Sequence, residues 1–112
     1  MNLNVRLSMT SNTSGTDRLG SVVEKNMSIE APLANSSRVD TSGGVTICDS
    51  SDVVFLYAKN LSSTAITVTF EAQASVTLAQ NEFMFLPVKA SVTVTATSTG
   101  SATLEYGYWT KA

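Results

Sequence analysis

The sequence predicts an all-β protein, an antiparallel β-sandwich with jelly-roll-like or Greek-key connectivity and roughly eight to ten short strands. Three observations lead there. Apolar residues recur with a period of two. Turn-forming clusters interrupt them every 8–12 residues or so, a spacing typical of sandwiches. No window long enough for a helix carries a 3.6-residue apolar stripe.

The strands follow in order. Leu3, Val5, Leu7 and Met9 alternate with Asn4, Arg6 and Ser8, the pattern of a half-buried strand over 2–10. Further strands are expected over 21–31, 38–41, 44–48, 53–59, 65–72, 75–79, 82–87, 91–97 and 102–109. In two of them threonine holds the wet positions: Ile66, Val68 and Phe70 alternate with Thr67 and Thr69, and Val92, Val94 and Ala96 with Thr93, Thr95 and Thr97. A branched Cβ suits the pleat while the hydroxyl meets water. Polar loops separate the runs at 11–17, 32–37, 49–52, 60–64 and 98–101. Gly43-Gly44 between two runs predicts a hairpin. The expected organisation is an N-terminal arm strand at 1–10, a flexible connection at 11–20 and a single sandwich domain at 21–112.

Some strands are apolar on both faces. Val54, Leu56 and Ala58 point one way, and Val53, Phe55 and Tyr57 the other. Phe83 and Phe85 oppose Met84 and Leu86, and Trp109 opposes Leu104, Tyr106 and Tyr108. An antiparallel sheet ordinarily leaves one face wet. A chain of 112 residues has few elements left for a third layer, so another subunit is expected to cover the outer face. The residues that would carry that contact are Leu3, Val5 and Leu7 on the arm and Tyr57, Phe85 and Trp109 on the body.

Composition points the same way. Charged residues make up 14% of the chain, against about 25% in an ordinary soluble domain. So neutral a surface is either covered by a partner or rich in uncharged polar groups. The seven basic residues are scattered singly and the net charge is −2, so the convergent cations of a nucleic-acid binder are missing. No apolar run approaches the roughly 20 residues of a membrane-spanning helix. Met1-Asn2-Leu3-Asn4-Val5 does not read as a signal peptide.

Catalytic chemistry lacks its parts. Histidine is absent, which removes the usual general base and the commonest metal ligand. The lone Cys48 has Asp49 beside it, which disfavours a thiolate, so it reads as a small core residue. Asp40, Asp49 and Asp52 lack the spacing of a calcium loop and read as turn caps. Glu71, Glu82 and Glu105 read as isolated polar positions on sheets rather than a glycosidase pair. Four Asn-x-Ser/Thr sequons, at Asn12, Asn26, Asn35 and Asn60, reflect an abundance of Ser and Thr. Tyr106, Tyr108 and Trp109 could stack on sugars, which keeps a carbohydrate-binding module open, but packing is the simpler use. No enzyme activity and no cofactor are expected.

The second half of the chain carries a resemblance. Val54-Phe55-Leu56-Tyr57-Ala58-Lys59-Asn60 is followed by Ala65-Ile66-Thr67-Val68-Thr69, then Leu78 to Pro87, Val92 to Ala96 and Ala102 to Tyr108. This order over residues 53–109 resembles small virion proteins of tailed bacteriophages, of the capsid decoration, cement or collar type. Where that pattern has Leu-x-Pro-Gly-Glu, this chain has Leu78-Ala79-Gln80-Asn81-Glu82. Asn tolerates the positive φ such a turn needs, so the turn is expected to survive. The resemblance implies a structural protein that binds and stabilises a capsid surface. Its partners would be the major capsid protein or other virion proteins and copies of itself, a trimer being favoured, with localisation in the virion. A tail, neck or fibre component is the alternative within the same kind of particle.

Overall fold

Antiparallel pairing nests the strands two by two. β3 (Asn35–Asp40) pairs with β10 (Thr103–Thr110), and β4 (Val45–Asp49) with β9 (Thr93–Thr97). β5 (Val54–Asn60) pairs with β8 (Phe83–Val88), and β6 (Ile66–Phe70) with β7 (Ala74–Leu78). This is one long ribbon with the β6–β7 pair at its far end. Rolling the ribbon adds the β5–β10 and β6–β9 pairings and gives two four-stranded sheets, ordered β3-β10-β5-β8 and β4-β9-β6-β7. That order is a jelly roll. The computed structural model describes residues 2–10, 20–30, 35–71 and 74–112. The connection expected at 11–20 lies outside them except for Gly20.

The core fills the space between the two sheets. Leu56, Ala58, Ile66, Val68, Val94, Ala96 and Leu104 are fully buried. Ile47, Cys48, Val54, Leu78, Met84, Val88 and Ala102 complete the cluster. Burying each Val, Leu or Ile side chain stabilises the fold by about 1.5–3 kcal/mol. The alternation read in the sequence places these residues inside, and the threonines between them outside.

Two buried polar side chains close one end of the roll, where β3 and β5 finish beside the start of β10. Asn60 is inaccessible, and its amide nitrogen donates to the carbonyls of Thr64 and Leu78, both at 2.9 Å. Its carbonyl oxygen accepts from the Ser62 amide at 2.8 Å. A side chain so committed cannot carry a glycan, whatever its sequon. Thr41 is equally buried and bonds Ser98 and the Ala102 carbonyl.

Gly43-Gly44 does not make the expected hairpin. β3 and β4 lie in different sheets, and the glycines, with φ of 78° and 89°, help turn the chain from one sheet to the other. A positive-φ glycine pair serves either connection. The pairing of β3 with the distant β10 decides between them. The 79–82 turn does survive: Glu82 N donates to the Ala79 carbonyl at 3.0 Å, and Asn81 adopts φ 64°.

β1 (Asn2–Thr10) and β2 (Gly20–Ser28) form a separate antiparallel hairpin. It joins the roll where Ile29 bridges Lys111, with Glu30 N donating to Thr110 O and Ala112 N to Ser28 O. The radius of gyration is 15.4 Å. A fully compact chain of this length has about 13 Å, a difference that fits a hairpin standing off the roll.

Candidate interaction surface

Strand alternation sorts the residues of the β3-β10-β5-β8 sheet onto two faces. Those that do not enter the core are Phe55, Tyr57 and Lys59 on β5, Phe83, Phe85 and Pro87 on β8, and Glu105, Gly107 and Trp109 on β10. Register brings the aromatics together: Tyr57 lies opposite Phe85, and Phe55 opposite both Trp109 and Pro87. The Phe55 and Phe85 rings stack with centroids 6.2 Å apart, and Trp109 tilts against Phe85 at 6.5 Å. These separations fall in the favourable range for aromatic pairs. Phe55 is nearly covered, whereas Phe83 remains 53% exposed.

The hairpin presents the complementary surface. Residues directly opposite in an antiparallel pair share a face. Leu3 with Met27, Val5 with Lys25, and Leu7 with Val23 therefore lie on one side, together with Met9. Asn4 with Asn26 and Arg6 with Glu24 lie on the other, where Asn4 Nδ2 donates to Asn26 Oδ1 at 2.7 Å. Leu3, Val5, Leu7 and Met27 are half-buried, but Val23 is 54% exposed. Between this apolar side and the aromatic sheet face runs a cleft of about 850 Å³.

Leu3, Val5, Leu7, Tyr57, Phe85 and Trp109, chosen on the sequence, all line this one cleft. Val23, Met27 and Phe83 also line it and were not chosen. The adjacent Val22 and Val23 hide the phase of β2, so the alternation that marks β1 gives no signal there.

A second, shallower depression of about 410 Å³ lies over Gly107, bordered by Arg38, Tyr57, Glu105 and Trp109. Arg38 pairs with Glu105 at 3.2 Å, and the Tyr57 hydroxyl donates to the other Glu105 oxygen at 3.0 Å. Burial chiefly, and then the Glu105 hydrogen bond and charge, push the Tyr57 hydroxyl above its ordinary pKa.

The remaining candidates are locally committed. Glu82 accepts from the Ala79 amide and Glu71 from the Thr93 amide. The amide of Ser42 and the hydroxyl of Ser101 hold the Asp40 carboxyl below its ordinary pKa, which is the capping role expected of it. Cys48 is 2% exposed, and burial pushes its thiol up. Tyr106 and Tyr108 pack against the core on the face opposite Trp109, so the three do not form a stacking platform. Among the described residues no cluster of three or more acidic or thiol side chains could hold a metal ion.

No family model matches the chain, and no curated protein does. A solved pilus subunit shares the fold. It comes from work describing that "Bacillus endospore appendages form a novel family of disulfide-linked pili". The likeness has a TM-score of 0.51 at 18% identity and covers 77% of this chain and 91% of that one.

This likeness corrects the resemblance drawn from residues 53–109. The structural match is to a pilus subunit and not to a bacteriophage protein. The strand and turn order that suggested a virion protein is the order of β5 to β10 in a jelly roll, an architecture found in many unrelated proteins. Capsid decoration, the tail, neck or fibre alternative, the major capsid partner and the virion localisation fall with it. The carbohydrate-binding alternative falls too, since Tyr106 and Tyr108 are turned inward.

Proposed function

We propose that this chain is a non-enzymatic structural subunit that self-associates into a pilus-like surface appendage. The observation that carries the reading is the pair of apolar surfaces, one on the hairpin and one on the β3-β10-β5-β8 sheet, which one chain brings together while leaving a cleft of about 850 Å³. The cleft opens to solvent, so part of its apolar lining meets water, Phe83 and Val23 above all. Exposed apolar surface bounded by polar residues marks association sites. Leu3, Val5, Leu7, Tyr57, Phe85 and Trp109 are the proposed contact residues. The fold shared with a subunit of endospore appendage pili supports polymerisation as the form of the association, and a spore surface as its place.

One feature separates this chain from the pili it resembles in fold. A fibre linked through disulfides needs at least two reachable thiols per subunit, one toward each neighbour. These 112 residues hold one cysteine, Cys48, which is buried in the core. The proposed association of these residues therefore does not run through disulfides.

Sedimentation and negative-stain electron microscopy of the purified chain over rising concentration test the reading. Assemblies that grow with concentration are expected. A protein that remains monomeric throughout overturns it.

A further inference from the structure

The hairpin is held to the roll by little backbone pairing. Ile29 bridges Lys111, and the hydrogen bonds of Glu30 to Thr110 and of Ala112 to Ser28 flank that bridge. Beyond this point β1 and β2 pair only with each other among the described residues. A lone two-stranded hairpin is marginally stable in water and needs a surface to cover its apolar side. The surface available in its own chain is the aromatic face, and the fit leaves the cleft. Every copy of the chain carries the same face and the same hairpin.

We propose that the N-terminal hairpin exchanges between copies, so that Leu3, Val5, Leu7 and Met27 of one chain seat on Tyr57, Phe83, Phe85 and Trp109 of a second. This rests on the self-association reading above and names its partner and its contact. Swapping an identical element between copies reuses contacts that already exist, so no new complementary surface has to be made. Across the cleft the described hairpin faces a sheet surface distant from it in sequence. An exchange that does not close on itself passes from copy to copy and generates a fibre.

Exchange competes with seating in the same chain. A short tether presents the hairpin to its own face at an effective concentration of about millimolar. Wild-type association by this route is therefore weak until the protein is concentrated. Blocking the same-chain contact while sparing one half of it in each of two variants removes the competition.

The test mixes two full-length variants. Leu7→Asp spoils the hairpin face and leaves the aromatic face intact. Phe85→Asp spoils the aromatic face and leaves the hairpin intact. Thiol labelling checks each fold, because Cys48 reacts only if the roll opens. If Phe85→Asp exposes it, Tyr57→Ser takes its place. Each variant alone should sediment as a monomer. Their equimolar mixture should form a one-to-one heterodimer, at a concentration at least about tenfold below that at which the wild type associates. A mixture no more associated than its separate components, with a wild type that does assemble, overturns exchange and leaves self-association standing. A wild type that never assembles, with a silent mixture, overturns both.

Discussion

The Tyr57 hydroxyl donates to Glu105 at 3.0 Å, and the other oxygen of the same carboxylate pairs with Arg38 at 3.2 Å. One carboxylate thus links three strands, β3, β5 and β10, across the outer face of a sheet. Glu105→Gln keeps the shape and removes the charge. The Arg38 side chain is 69% exposed, so losing the pair should cost less than about 1 kcal/mol. Tyr57 should respond more clearly. Its titration should move down toward the ordinary tyrosine range without reaching it, because burial, the larger cause, remains. Ultraviolet absorbance of tyrosinate against pH, compared with wild type, reads this directly. An unchanged titration would show that Glu105 does not act on Tyr57.

Alkali should loosen the roll. Cys48 is raised above 9.0 in the fold, and Tyr57 and Tyr108 above 10.0, in each case chiefly by burial. The neutral forms are favoured when folded, so the unfolded chain loses these protons first. Their contribution is complete below about pH 9 and is lost as pH rises through the folded values. Urea midpoints measured from neutral pH upward should fall, first through Cys48 and then through the tyrosines. In Cys48→Ala the earliest part of the decline should vanish, whatever that variant's stability at pH 7. Asp40 works in the opposite sense: its carboxyl is lowered, so its contribution is lost as pH falls below about 4.

The strands were legible because one period governs them. Leu3 to Met9, Ile66 to Phe70 and Val92 to Thr97 alternate cleanly, and an alternating run has one way to bury its apolar side. The cross-sheet turn at Gly43-Gly44 was not legible, because two positive-φ glycines look alike in a hairpin and in a connection between sheets. Only the pairing of Asp40 with Thr103 separates the two. On the candidate surface, Phe85 and Trp109 stood out as aromatics on the wrong side of their strands. Phe55 was placed on the same outer face as Tyr57 but not among the contact residues, although it stacks on Phe85. The mistaken virion resemblance came from treating a fold's strand order as a family's mark. Residues 53–109 hold most of a roll and no catalytic or binding motif that would distinguish one roll from another.

Asn81 offers a measure of local strain. It sits at φ 64° in the turn between β7 and β8, where glycine is free of strain and Asn is tolerated. Asn81→Gly should leave stability within about 0.5 kcal/mol of wild type, since relief in the fold is offset by greater freedom in the unfolded chain. Asn81→Val should cost about 1–2 kcal/mol, because a β-branched side chain fits that conformation poorly. Urea unfolding distinguishes the two, and equal stability for Gly and Val would mean that the turn does not hold this conformation in solution.

Reductant should leave assemblies intact. With Cys48 at 2% exposure and no second thiol in these residues, no chain of disulfides can run through a fibre. Assemblies treated with dithiothreitol should keep their sedimentation profile, and Cys48→Ala should assemble at wild-type concentrations. Dissolution by reductant would point to covalent links through an exposed Cys48, which the buried position contradicts.

The two faces of the β3-β10-β5-β8 sheet should separate folding from association. Leu56 and Tyr57 are neighbours on β5, but Leu56 is wholly inside the roll and Tyr57 lies on the cleft with Phe85. Leu56→Ala leaves a cavity and should cost about 2–5 kcal/mol of stability. Any folded fraction should still associate, since the outer face is untouched. Phe85→Ala removes a ring that stacks on Phe55 and meets a tilted Trp109. Phe85 is only half-buried, so the loss of stability should be smaller than for Leu56→Ala, while association should be largely abolished. Urea unfolding and sedimentation on both variants should therefore rank them in opposite orders. If Phe85→Ala associates as wild type does, the aromatic face is only a second small core beneath the hairpin, and the contact between copies must lie elsewhere.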